Sequence, residues 1–253
     1  MKTDLLTTKS GSTNNIKIVR YMDIKGNITK KYCLNGIPLQ FVEISNRHSK
    51  KASGFQLIIN DLEYIEKYLT HLINNSTFAK QNYDPENNED HFFHMLTCTS
   101  FISSAIMLYA KCFTKADKRG TTLSKKDHIE CNMPHLSNVH DFIIHLRHQY
   151  YAHSGHSNIE SAAMRVVFHD NGSVPVVNAE YHLQLSLDFF MLFIELVQKL
   201  KSQVSSIVFK IANGQYDEYI KNKSEQTHKK NSFGIQALTW EIWSSQHNKN
   251  IRR

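Results

Sequence analysis

The stretch "HFFHMLTCTSFISSAIMLYAKCF", residues 91–113, decides the fold class. Phe92, Met95, Leu96, Ile102, Ile106, Tyr109 and Phe113 recur at three- and four-residue steps, the spacing of neighbours on a helix. The segment is apolar nearly all round, which predicts a long helix at the centre of the core. Upstream, residues 55–74 place Leu62, Ile65, Tyr68 or Leu69, Leu72 and Ile73 on one face, predicting a second helix. "SNRHSKKASG" (45–54) reads as a basic connecting loop and "AKQNYDPENNED" (79–90) as a polar, acidic one.

Downstream, residues 114–134 read as a basic loop with one turn of helix. Ser137 then caps a third helix through "NVHDFIIHLRHQYYAHS" (138–154), whose Val139, Phe142, Ile143 and Leu146 share a face and which Gly155 stops. A fourth helix is expected over 186–212, opened by Ser186 and closed at Asn213-Gly214. Two runs are β-like. Ile16–Ile44 carries β-branched and aromatic residues around Gly26-Asn27 and Asn35-Gly36, and residues 162–169 and 174–185 flank "DNGS". "FGIQALTWEIW" (233–243) reads as an added strand or a docking segment.

The fold class expected is therefore mainly α: a four-helix bundle with two small β-hairpin inserts. Residues 1–54 form a polar amino terminus and β-meander attachment. Residues 55–220 form the helical domain, with its hairpin at 162–185, and residues 221–253 a polar basic tail.

Bulk composition agrees. An apolar share of 41% is too high for a disordered chain, and nine glycines and four prolines in 253 residues are too few for a many-turned β sandwich. A formal charge of +7 suits a phosphate-bearing partner as well as it suits an ordinary soluble surface. The cysteines Cys33, Cys98, Cys112 and Cys131 form no CxxC pair, and the polar start "MKTDLLTTKSGSTNN" has no apolar core of signal-peptide length. Reduced thiols in a cytoplasm are expected. No uninterrupted apolar run approaches the ~18–20 residues of a spanning helix, so no membrane partner is expected.

The chemistry concentrates at "HLRHQYYAHSGHS", residues 145–157, with His145, His148, His153 and His156. His145 and His148 stand at i and i+3, as do His91 and His94, a spacing at which two imidazoles share a metal. There is no HExxH and no paired cysteine, and Asp141 is the one acidic residue beside them, so no metal and no cofactor is assigned. Histidines and tyrosines also finish helices, where the dipole favours imidazolium and the tyrosine hydroxyl stays wet. That bland reading serves His145, His156, Tyr150 and Tyr151 well when each is taken singly. Arg147 with His153 invites a chemical one. Cleaving RNA through its own 2′-hydroxyl needs a proton acceptor, a proton donor and positive charge on the phosphorane. Histidine supplies the first two near pH 7 and arginine the third.

"LRHQYYAHS" (146–154, with Arg147-His148-x4-His153) resembles the signature of HEPN domains, a superfamily of helical domains in which many members are metal-independent RNases of toxin–antitoxin, abortive-infection and CRISPR systems. The resemblance implies a HEPN-like bundle over about residues 55–212 and rests on about nine residues of specific sequence. It implies an endoribonuclease, a toxin or antiviral defence effector, acting on RNA as a homodimer whose two motifs share one cleft. A cognate antitoxin or regulatory protein would attend it. It also leaves open a non-catalytic module binding RNA, a nucleotide or a protein. In the catalytic reading Arg147 holds the scissile phosphate, His153 is the general base or acid, and His148, in the family's polar slot, orients a partner or touches phosphate. Tyr150 and Tyr151 stack bases or pack in the core. Lys125 and Lys126, with Lys115 and Lys118, track phosphates or stay solvated. Six positions leave Arg147 and His153 about 120° apart on a straight helix, so they converge only if the helix ends first or a second subunit supplies the partner.

Overall fold

The computed structural model describes residues 16–22, 27–74, 89–116, 119–148, 160–169, 172–181, 185–221 and 233–236. The chain divides into two compact units, Asn46–Tyr219 and a smaller one from Met1–Ser45 with Ile220–Arg253.

In the smaller unit β1 (Ile16–Met22) pairs antiparallel with β2 (Asn27–Leu34), from Ile16 opposite Leu34 to Met22 opposite Ile28. Asn35 and Gly36 both have positive φ, 49° and 82°, the left-handed pair that a tight hairpin turn requires. They return the chain into β3 (Ile37–Pro38). A distant strand, β6 (Phe233–Gln236), lies antiparallel along Asn27–Lys30. The "FGIQ" segment thus supplies a strand to the sheet formed near the other end of the chain.

The larger unit is mainly helical. Among its described residues are α1 (Arg47–Asn74), α2 (Glu89–Phe113), α3 (Ser137–Leu146) and α4 (Leu187–Lys221). All four contribute to one core that contains Leu62, Ile65 and Leu69 of α1, Ile106 and Tyr109 of α2, Ile143 and Leu146 of α3, and Phe193 and Leu200 of α4.

Several boundaries differ from the sequence expectation, each for a local reason. Of the stretch 45–54, residues 47–54 are helix rather than loop. Asn46 and Ser49 cap α1 reciprocally: the Ser49 N–H donates to Asn46 Oδ1 (2.8 Å) and the Asn46 N–H to Ser49 Oγ (2.9 Å). Serine stands here where a capping box ordinarily carries Glu or Gln. Ser137 is not a cap. A 3₁₀ turn, Pro134–Leu136, runs straight into α3 and no side chain caps the junction. Ser186 does cap α4, accepting from the Phe189 N–H at 3.2 Å.

α2 is less central than its composition suggests. Phe93, Leu96 and Met107 are exposed while Ala105, Ile106, Tyr109 and Cys112 are buried. Its polar face is made compatible with helix by hydroxyls that bond back one turn: Thr97, Ser100 and Ser103 donate to the carbonyls of Phe93, Leu96 and Thr99 at 2.7–2.8 Å. Leu96–Phe113 is long and apolar enough, by length and composition alone, to cross a membrane.

α4 does not stop at Asn213-Gly214 but continues to Lys221. Gln215 is held by the Asn46 amide, and a Cβ placed on Gly214 would meet nothing within 4 Å. Gly214→Ala is therefore expected to stabilise the protein by up to about 1 kcal/mol, by restricting the unfolded chain at a site with room for the methyl group. A denaturant melt measures it.

β4 (Glu160–His169) and β5 (Gly172–Tyr181) form a regular antiparallel hairpin, from Glu160 opposite Tyr181 to His169 opposite Gly172. Its second strand is described to Tyr181, and Leu185 is not part of it. Met164, Phe168 and Val177 are 70%, 81% and 76% exposed, and Val167 and Val174, on the opposite face, are exposed too. This hairpin is apolar on both sides, not amphipathic.

Candidate functional site

One cleft of about 310 Å³ brings together much of the chemistry that the sequence singles out. Its walls come from the carboxyl end of α2 (Ala110, Phe113, Thr114), the segment Leu123-Ser124-Lys125, and α3 with its continuation (His140, Ile144, Arg147, His148).

The loop that returns from α2 is secured by the helix end it leaves. The Leu123 N–H and the Thr122 hydroxyl both donate to the Cys112 carbonyl, at 2.9 and 3.1 Å, and Arg119 Nη1 donates to the Lys111 carbonyl at 3.1 Å. These carbonyls are among the last-turn acceptors that a helix cannot satisfy internally. The same Arg119 is buried and ion-paired with Asp61 of α1. Beyond the loop, Lys126–Glu130 is a π-helical turn, opened by Ser124, whose hydroxyl donates to Asp127 Oδ2 (2.7 Å) and accepts from the Asp127 N–H (3.0 Å). Short π turns recur at functional sites because they re-aim side chains.

Arg147 keeps helical dihedrals (φ −58°, ψ −46°), so α3's backbone path carries it to the cleft rather than ending before it. Its Nη1 donates to His148 Nδ1 at 3.1 Å. Guanidinium only donates, so His148 holds a lone pair on Nδ1 and, in this arrangement, its proton on Nε2. Lys125 reaches the cleft as well, but its ammonium is shared by two carboxylates, Asp141 at 2.8 Å and Glu130 at 3.4 Å. Hydrogen bonding to Asp141, with a smaller contribution from Glu130, holds its pKa above the ordinary lysine value. Lys126 is exposed on the π turn and does not line the cleft. Lys115 and His145 are exposed. His153, Tyr150, Tyr151, His156 and Lys118 lie outside the described residues, as do the side chains of His91 and His94. Among the described residues no three histidine, cysteine or carboxylate groups gather in a metal-binding arrangement. None of the four cysteines is in a disulfide, and burial pushes the Cys112 thiol up to about 12.

The sequence reading passed over His140. It is 5% exposed and its Nδ1 lies 2.8 Å from the hydroxyl of the fully buried Tyr109. Its ring meets Phe113 edge-on, centroids 4.6 Å apart. Burial lowers its pKa to about 4, against the smaller opposing pull of Asp141, so the imidazole is uncharged at neutral pH. The signal was present in the numbering. His140 and Arg147 are seven positions apart, which on a helix places them within about 20° of each other.

A pH dependence follows. Above pH 6.5 His140 is neutral in both folded and unfolded chains and costs nothing. As the pH falls below 6.5 the unfolded chain takes up a proton that the folded one refuses until about pH 4, so stability declines across that interval. The expected loss is about 3 kcal/mol over the whole interval. Urea melts at pH 7 and pH 4.5 should read about 2 kcal/mol of it, and in His140→Gln the decline should be correspondingly shallower.

Compared with protein-family models, with curated proteins and with solved structures, the chain matches none.

Proposed function

We propose that the protein is a metal-independent endoribonuclease of HEPN type, a toxin or antiviral defence effector that works as a homodimer on RNA, with its helical unit as a HEPN-like four-helix bundle. The observation that carries this reading is the convergence of Arg147, His148 and Lys125 on one cleft that also holds a neutral, buried imidazole. In the reaction the RNA 2′-oxygen attacks the adjacent phosphorus, the 2′-proton passes to a base, and the 5′-oxygen leaves with a proton from an acid. The products are a 2′,3′-cyclic phosphate and a 5′-hydroxyl. Arg147 neutralises the phosphorane, His153 is assigned as base or acid, and His148 presents Nε2–H to phosphate. Tyr150 and Tyr151 are assigned to base stacking, and Lys126 to more distant phosphates. The apolar β4–β5 hairpin offers a surface for the second copy.

Labelled RNA incubated in EDTA with the wild type, Arg147→Ala and His153→Ala tests the reading. Cleavage is expected to persist in EDTA and to fall by about 10²–10³-fold in Arg147→Ala, the cost of removing a transition-state charge donor. Cleavage that needs metal, or that survives in both folded variants, overturns it.

A second reading has its own support. Asp141 and Glu130 already occupy Lys125, and His148 already occupies part of Arg147, so the cleft is less positive than its cations alone suggest. This favours a HEPN-like module that binds a nucleotide, RNA or protein without cutting. Saturable binding with intact RNA would support it.

A further inference from the structure

His140 is the group in this molecule whose placement the preceding roles leave unused. A histidine kept only for packing satisfies both ring nitrogens inside the protein, because a buried polar atom without a partner is costly. His140 satisfies one. Nδ1 is bonded to Tyr109, whose hydroxyl makes no other hydrogen bond among the described residues. Nε2 has no partner among those residues either, and among the described residues it is not one of the fully enclosed, unbonded side-chain nitrogens or oxygens, where Nε of Arg20 stands. A side chain that is 95% enclosed, that lines the cleft and that keeps one ring nitrogen unbonded among the described residues is placed to meet what the cleft takes in.

We infer that His140 is a ligand-contacting residue, pinned by Tyr109 so that its Nε2 hydrogen-bonds the sugar or base of a nucleotide whose phosphate rests on Arg147. The identity of the ligand rests on the ribonuclease reading; the contact itself rests on geometry. Seven residues of helix separate the two side chains by about 10 Å along α3, and long helical side chains lean back toward the amino terminus, which brings the guanidinium nearer the imidazole. That span suits one nucleotide from phosphate to base. Between them the wall is apolar, from Ala110, Phe113, Leu123 and Ile144, with Ser124 and Thr114 at the sides. A volume of about 310 Å³ lies at the small end of ligand sites, enough for one nucleotide unit and too narrow for a duplex. An uncharged imidazole suits this task. It offers a donor or an acceptor to a hydroxyl or a base edge without competing with Arg147 for the phosphate, and its ring is fixed between Phe113 and Tyr109. If the Tyr109 hydroxyl donates to Nδ1, then Nε2–H is a donor; if it accepts, Nε2 is an acceptor.

The full chain, labelled with ¹⁵N, is titrated with uridine 3′-monophosphate and, separately, with inorganic phosphate, while the imidazole resonances are followed and RNA cleavage is assayed in parallel. With the nucleotide the His140 ring signals should move saturably. Inorganic phosphate should leave them in place. His140→Gln should weaken nucleotide binding about tenfold and leave phosphate binding unchanged, whereas Arg147→Met should weaken both. Nucleotide binding that leaves the His140 signals still, equal nucleotide affinity in His140→Gln, or no saturable nucleotide binding overturns the inference. The wild-type titration decides even where a variant fails to fold, and Tyr109→Phe, which frees the ring while keeping its packing, should broaden or shift the His140 signals. RNA left intact while the titration succeeds removes the nuclease reading and leaves the contact standing; RNA cut while His140 is silent does the reverse.

Discussion

Asp61→Ala is expected to lower the stability of the helical unit by about 3–5 kcal/mol. Asp61 and Arg119 are each 8% exposed, and the guanidinium spans Asp61 of α1 and the Lys111 carbonyl at the end of α2. Alanine removes the carboxylate and leaves the buried cation bonded to the neutral Lys111 carbonyl, without the charge that balanced it. Lys111, which also touches Asp61 at 3.2 Å, is 55% exposed at its side chain and recovers its solvation at little cost. The penalty therefore comes from Arg119, and it is conditional on Arg119 being present. Arg119→Met alone should cost less, because Asp61 keeps its contact with Lys111, whereas Asp61→Leu with Arg119→Met replaces a charged pair by apolar groups and should recover most of the loss. Chemical denaturation of the two single variants and the double variant completes the cycle. A double variant as unstable as the sum of the singles contradicts the account. Because Arg119 anchors the loop that carries Ser124 and Lys125 to the cleft, Asp61→Ala should also weaken any ligand that binds there.

Gly54→Ala is expected to be at least as damaging as overpacking generally is, at about 3 kcal/mol. Gly54 sits inside α1, where glycine costs helix stability, and its value lies in what passes beside it. A Cβ at that position would fall 2.1 Å from the Arg119 carbonyl oxygen and 2.8 Å from Thr121 Cγ2. The obstacle is backbone, not the free end of a flexible side chain, so relief requires moving the loop and with it the Arg119–Asp61 contact. The comparison with Gly214→Ala is direct: the same substitution in a helix, one into filled space and one into open space, should shift the denaturation midpoint in opposite directions. If Gly54→Ala leaves the midpoint unchanged, the close passage of loop and helix is wrong.

These two sites show where reading the sequence succeeds and where it stops. Leu62, Ile65, Leu69 and Leu72 on α1 were legible because a helix repeats every 3.6 residues and the apolar stripe repeats with it. The Asn35-Gly36 turn was legible because few residues accept positive φ at two successive positions. Gly54 was misread as part of a loop, since a glycine in a basic stretch looks like punctuation until the strand of backbone beside it is known. Gly214 was misread as a stop for the same reason. Of the candidate site, Arg147 and His148 were legible from their motif and do meet in one cleft with Lys125, while His153, Tyr150 and Tyr151 fall outside the described residues. His140 was hidden by its neighbours on an apolar face, where a polar residue reads as an interruption.

Taken alone, the order of residues determined the helices, the two hairpins and the cluster of basic and imidazole side chains near the end of α3, because each of these depends on neighbours a few positions apart. Only the tertiary structure decided that Phe233–Gln236 pairs with β2, that Asp61 neutralises Arg119, and that Tyr109 bonds His140 in the wall of the cleft that Arg147 also lines. Those contacts join residues from 31 to more than 200 positions apart, and no local periodicity encodes them. In the sheet the exposed edge of β2 finds its backbone partners in β6, and in the helical core the burial of Asp61, Arg119, Tyr109 and His140 leaves their polar groups only one another and nearby backbone to bond.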